Sequence, residues 1–407
     1  MSALSTSTDP SVAEREWLTL VERKTVLVVV HTLAYGKRLL GILSLLEADF
    51  RIQVVFTAPP HVFGDEVPAF LQSLGGAVLP WDEAIRLTFD LALAAGPRGV
   101  EKISAPLLTL PHGAGYLKRL STGSHPGVAG LRRQDLAPGG RLPAAVAVPH
   151  HAELAVLAQH CPEAMPFAHV VGDPVYDRIV ASRPLRTVYR RALGLADEER
   201  LVVVASTWGA RSSFGRLEAL LPRLMAELPT GRFRSAILVH PNVWSGHGSW
   251  QVRTWLASCA RSGIAVLAPE ADWRPVLIAA DHIIGDHGSV TLYGTLTNAP
   301  ILLASSPQQE INAFSPAAAL ALTAPALSPA HPLVAQLDYA SAEYRPKEYA
   351  AIAARISSEP GRFNRNMRRL MYRLLGLGQP AHAPETLPLP VPPSLDTWAH
   401  GRWEIPA

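Results

Sequence analysis

The chain has 407 residues, 48% apolar and 17% charged. That excludes a largely disordered protein and exceeds one ordinary core, so two domains are expected. Its 37 basic and 34 acidic residues leave a net charge of +3, too small to argue for a nucleic-acid binder on charge. Two cysteines, Cys161 and Cys259, exclude a disulfide scaffold and a cysteine-built structural zinc site.

Met1 to Pro10 are polar and show no basic start before an apolar stretch, so no signal peptide is expected. Runs such as Val26–Val30 are strand-sized, well short of the roughly 18 apolar residues of a spanning helix. A cytoplasmic protein is the expectation.

In chain order, strands are predicted at Thr25–Val30, Ile52–Phe56, Leu107–Leu110, Ala145–Val148 and Ala168–Val171. A second set follows at Leu201–Ala205, Ser235–Val239, Ile264–Leu267, His282–Ile284 and Pro300–Leu303. These runs are rich in Val, Ile and Leu and mostly do not alternate with polar residues, as in parallel strands buried on both faces. Gly36–Leu46 and Ser213–Leu228 fit intervening helices, so the pattern predicts an α/β chain of doubly wound parallel sheets. The prolines of Asp173-Pro174 and Arg183-Pro184 place a domain boundary near 172–185. Two Rossmann-like halves facing a cleft are expected, with ligands at the carboxyl ends of strands. Arg362–Leu375 carries an apolar stripe at helical spacing (Phe363, Met367, Leu370, Met371, Leu374) among arginines. Residues 379–407 hold seven Pro in 29 positions and read as an extended or disordered tail.

Four post-strand segments can carry chemistry. Pro111-His112-Gly113-Ala114-Gly115 follows the Leu107–Leu110 run. His112 suits proton transfer near neutral pH, the glycines allow close approach, and Lys118 can face a phosphate. His240-Pro241-Asn242 ends the Ser235–Val239 run, where His240 can donate to an oxyanion or simply open a helix. Asp286-His287-Gly288-Ser289-Val290-Thr291 turns from a strand into a helix. Its amides, with the Ser289 and Thr291 hydroxyls, suit a phosphate, and a plain capping turn with Ser289 as N-cap is the alternative. Thr207-Trp208-Gly209-Ala210-Arg211 follows the first strand of the second set, with Arg211 as a bidentate phosphate ligand or a solvated arginine. His31–Gly36 and His61–Gly64 should shape an acceptor pocket.

There is no P-loop, no post-strand Gly-x-Gly-x-x-Gly, no His-Glu-x-x-His and no Gly-x-Ser-x-Gly in a strand-to-helix setting. Without an Asp-x-Asp pair for a divalent ion, no metal and no cofactor are expected, and protein groups must neutralise a leaving phosphate.

The ordered set His112-Gly113 to Lys118, Gly172-Asp173-Pro174, Thr207-Trp208, His240-Pro241 and Asp286-His287-Gly288-Ser289 resembles the CDP-glycerol glycerophosphotransferase family, the teichoic-acid polymerase type. The resemblance spans residues 105–305. It implies a GT-B fold, with His112 as base for the acceptor hydroxyl, His240 on the transferred phosphate and Ser289 on the donor diphosphate. Gly288, Thr207, Thr291 and Arg211 would join Ser289 at the donor phosphates, while Gly113, Lys118 and Asp286 would meet the acceptor or support the site. The family's second motif usually reads Asp-Tyr-Ser-Ser, so His287-Gly288 here removes a hydroxyl. The turn is also similar to the Asp-Ser-Gly-Gly turn of UDP-GlcNAc 2-epimerases.

The resulting division is an N-terminal extension (1–20), an acceptor domain (21–175), a nucleotide-donor domain (185–345), C-terminal helices crossing back (346–378) and the Pro-rich tail (379–407). Its expected partners are a small nucleotide donor and a hydroxyl acceptor. The basic 362–375 helix could touch anionic lipid, but a core role suits its Met/Leu stripe better. The alternatives are a GT-B glycosyltransferase, a UDP-sugar epimerase and a non-catalytic nucleotide-binding relative.

Overall fold

A computed structural model describes residues 23–120 and 127–399; the expected extension at 1–20 lies outside them. The strands are β1 (Lys24–Val29), β2 (Ile52–Thr57), β3 (Ala77–Leu79), β4 (Leu91–Ala94), β5 (Leu107–Thr109), β6 (Arg119–Leu120), β7 (Gly127–Val128), β8 (Ala145–Val148), β9 (Ala168–Val170), β10 (Arg200–Ser206), β11 (Phe233–Val239), β12 (Ala265–Val266), β13 (His282–Gly285) and β14 (Ile301–Leu303). They form a seven-stranded parallel sheet ordered β3-β2-β1-β4-β5-β8-β9 and a five-stranded parallel sheet ordered β12-β11-β10-β13-β14. β6 and β7 pair separately and antiparallel.

The long apolar runs take the most buried positions. Val26, Leu27, Val28 and Val29 are wholly inaccessible, as are Val202, Val203 and Val204. Helices on both faces leave such strands no polar side, which explains the missing alternation. β4 is absent from the predicted set because Leu-Ala-Leu-Ala carries helix formers and no β-branched residue. It nonetheless sits beside β1, where the first sheet reverses direction. The equivalent reversal in the second sheet lies between β10 and β13. Crevices open at such reversals, and the Thr207 and Asp286 loops follow the two strands that flank the second one.

The segment read as a boundary is helical. Asp173 caps the helix Pro174–Ser182 by accepting from the Tyr176 amide at 2.7 Å, with Pro174 in the first turn. A proline there lacks only an N–H that the helix does not use, so it starts the helix and does not break one.

The helix Phe363–Leu375 packs Phe363, Met367, Leu370 and Met371 against Val26, Val28 and Leu39 of the first half. The chain thus crosses back, and this apolar face is covered by the protein's own core. The described part of the Pro-rich tail, 379–399, is largely extended, one of the two forms expected, and it is packed; 400–407 lie outside the described residues. Leu389 and Leu395 enter the second core, and Tyr189 Oη donates to the Leu389 carbonyl at 2.7 Å. Isolated leucines spaced among prolines suffice to fix an extended segment when each meets a pocket. Among the described residues no helix is long and apolar enough to cross a membrane.

Candidate active site

The His112 loop starts as β5 ends. Gly115 adopts φ +80°, and a Cβ there would fall 2.1 Å from Glu153 Oε1, so only glycine fits. Glu153 holds the loop from below by accepting from the Tyr116 amide at 3.1 Å. Burial pushes its carboxyl up to about 8, and its other oxygen has no hydrogen-bond partner. His112 is open to the cleft and stacks on Tyr35, ring centroids 4.5 Å apart and planes tilted 31°. The depth of the cleft lowers its pKa to about 4, and Arg38 and Lys118 act in the same direction. The ring is therefore neutral at pH 7, as a base must be.

His240 follows β11 and caps the helix Pro241–His247, its Nδ1 accepting from the Asn242 amide at 3.0 Å. That bond leaves the proton on Nε2, which becomes a donor. Enclosure, then the fields of His112 and Lys118, lower its pKa to about 3. Helix entry and a donor role thus coexist on the two ring nitrogens.

Asp286 follows β13, and its buried carboxylate accepts from the amides of Thr207 at 2.9 Å, Ser213 at 2.8 Å and Gly288 at 2.9 Å. It fastens the loops after β10 and β13 together. Burial raises its pKa, opposed by these amides and by His287. Gly288, not Ser289, is the N-cap of the five-residue helix Ser289–Tyr293. A Cβ on Gly288 would approach Thr207 Cβ to 2.9 Å, so the two loops meet at close range. Ser289 Oγ accepts from the Ala114 amide at 3.2 Å, joining this turn to the His112 loop. Thr291 is placed differently from the expected phosphate-facing position. It is buried, and its hydroxyl accepts from the Asp286 amide at 3.1 Å, because its side chain turns back under Gly285.

Lys118 lies over Trp208, Nζ 3.8 Å from the ring centroid. Its strand edge bridges to Ile311, and the Asn312 amide donates to the Leu117 carbonyl at 2.8 Å, a further join between the halves. Burial lowers the Lys118 pKa while Glu310 and Asp286 raise it. Arg211 pairs with Glu310 at 3.4 Å and is half exposed, at the outer end of this group. Glu310 also lies 3.5 Å from His287. His112, Gly113, His240, Thr207, Asp286, Gly288, Ser289 and Lys118 therefore share one cleft, with Arg211 at its edge and Thr291 behind it.

Sequence reasoning missed the supports. Arg38 is buried and donates to Asp173 at 2.8 Å, and Tyr293 Oη donates to the same carboxylate at 3.0 Å. This ties a first-half helix to the donor turn through the crossing segment. Tyr35 and Arg38 stand three apart on the helix Leu33–Leu43, a spacing that puts both on one face and was the available signal. Glu153 gave no local signal. Among the described residues no three His, Cys, Asp or Glu side chains gather as a metal-binding group.

Solved structures share this architecture. The wall teichoic acid polymerase TagF superposes with a TM-score of 0.61 at 12% identity, over 88% of this chain and 90% of that one. Anabaena Alr3699/HepE in complex with UDP-glucose gives 0.51 at 12% identity, over 86% of this chain and 99% of that one. No protein-family model matches the chain, and no curated protein matches it. The fold is GT-B: two parallel α/β sheets with a cleft between them and a C-terminal helix returning to the first.

Proposed function

We propose that this chain is a transferase that moves a group from a nucleotide-diphosphate donor to a hydroxyl acceptor, with glycerophosphate transfer from CDP-glycerol as the leading reading. The supporting observation is the hydrogen bond between Ser289 and Ala114, which sets the Gly288-Ser289 turn against the base candidate His112. Ser289 accepts from Ala114 through oxygen and keeps its own hydrogen to donate to a phosphate. His240 offers Nε2–H and Lys118 its terminal amine in the same cleft. Such preorganised donors stabilise charge that develops as the leaving group departs.

In this reading His112 takes the proton of the acceptor hydroxyl. The acceptor oxygen bonds to the glycerol-bearing phosphorus, and the bond from that phosphorus to the bridging oxygen breaks, releasing CMP. One TagF structure was obtained with CDPG, which favours this chemistry. A second reading is glycosyl transfer, favoured by the UDP-glucose complex of HepE. There the acceptor oxygen bonds to the anomeric carbon and a nucleoside diphosphate leaves.

Chromatography of nucleotides released from CDP-glycerol and from UDP-sugars, with and without His112→Ala, tests the proposal. CMP release that needs His112 supports the first reading, and nucleoside-diphosphate release supports the second. Stabilisation by nucleotide without turnover points to a non-catalytic binder. No binding and no release overturn the proposal.

A further inference from the structure

Ring contacts link a circuit of side chains beside His112. His112 stacks on Tyr35 at 4.5 Å; Tyr35 meets His31 at 6.0 Å, and His31 meets His61 at 6.0 Å. His61 meets Phe63 at 5.9 Å, and Phe63 meets Trp208 of the other half edge-on at 5.4 Å. Lys118 covers Trp208, and the loop from 112 to 118 closes the circuit. Of the rings only His31 is buried; Tyr35, His61, Phe63 and Trp208 are half-buried and His112 is open. Aromatic surface therefore remains for a ligand.

Basic side chains lie at the ends of this circuit. Lys118 stands at the donor end near Asp286 and Glu310, and exposed Arg98 stands beside His31 and His61 at the other. His31 Nε2 lies 2.6 Å from the Arg98 carbonyl and donates to it; burial lowers the ring's pKa to about 4, so the ring is neutral and Nδ1 carries no proton. Between the two basic side chains the members of the circuit are aromatic rings and imidazoles, and Arg38, which acts on His112, is itself paired with Asp173. Aromatic faces shield C–H surfaces from water, and a few polar atoms among them fix hydroxyls.

We infer that this circuit is the acceptor subsite and that it takes a neutral sugar ring, one hydroxyl of which meets His112. The inference rests on the transfer reading above and names its acceptor class.

Saturation-transfer NMR on the full chain tests it, with methyl glycosides of glucose, galactose, mannose and N-acetylglucosamine as probes and glycerol 3-phosphate as the anionic comparison. Irradiating aromatic protons should pass signal to ring C–H protons of a glycoside. His61→Ala and Phe63→Leu, singly and together, should weaken glycoside binding by about tenfold. Their thermal shift with CDP-glycerol or UDP should not change, and that same shift shows that the single variants fold even if the double variant does not. No transfer to any glycoside, stronger transfer to glycerol 3-phosphate, or unchanged transfer in the single variants overturns the inference. The nucleotide shift separates the two failures: its absence in the parent chain overturns the transfer reading, whereas its presence without glycoside signal overturns the acceptor class alone.

Discussion

Ser289 and Ala114, 175 positions apart, are joined by a hydrogen bond from the Ala114 amide to the Ser289 hydroxyl. This bond places the turn that follows β13 in direct contact with the loop that follows β5. One glycine makes the contact possible: a Cβ on Gly113 would lie 2.3 Å from Ser289 Oγ. Gly113→Ala should therefore push Ser289 off the Ala114 amide, at a loss of about 1 kcal/mol for the bond. Donor KM should rise while the melting temperature moves little. Adding Ser289→Gly removes the obstructing hydroxymethyl group, so the double variant should recover the loop geometry, read as His112 ring shifts by NMR.

His112→Ala should lower kcat by on the order of 10² to 10⁴ without unfolding the chain, the usual contribution of a general base. With its pKa held to about 4 by the cleft, His112 stays unprotonated through neutral pH. Activity should fall only as pH drops toward that value. A rate-limiting titration near the ordinary imidazole value of 6.5 in the pH profile of kcat/KM would contradict the role.

Asp173 holds two buried donors, Arg38 and Tyr293, from opposite halves. Asp173→Ala leaves the Arg38 guanidinium unpaired in the interior, a loss of about 3 to 5 kcal/mol by urea denaturation. Pairing it with Arg38→Met should recover much of that loss, since the buried charge then goes too.

Glu153 titrates higher in the folded chain, at about 8, than its ordinary value of 4.5. The folded state thus binds the proton more tightly, and this group's contribution is full below the ordinary value and is lost as pH rises through about 8. Glu153→Gln keeps an oxygen for the Tyr116 amide and cannot ionise. It should be more stable than the parent at pH 8 by denaturant titration, with the difference vanishing at pH 4.

The tail gives a plain packing prediction. Leu395 is wholly inaccessible, and its amide donates to the Leu193 carbonyl at 3.1 Å. Leu395→Ala should cost about 2 to 5 kcal/mol of stability, the range for a buried leucine. A tail without fixed packing would lose nothing measurable.

Much of this was readable in advance. Continuous Val, Ile and Leu runs such as Val26–Val29 can hardly do anything but lie in a parallel sheet, because no face of them tolerates water. The His112, His240 and Asp286 segments stood out because each joins a strand end to a glycine or proline turn. The stripe at Phe363–Leu375 was legible for the same local reason. β4 was not, since Leu and Ala favour helix until a neighbouring strand claims them.

What the sequence determined by itself, then, was local: burial pattern, strand and helix periods, and which residue types end each strand. Tertiary structure alone decided which loops meet. It turned Thr291 inward, made Gly288 the cap, stacked Tyr35 on His112 and set Glu153 beneath the loop. Strand order sets these contacts, because neighbours in the sheets come from segments far apart along the chain.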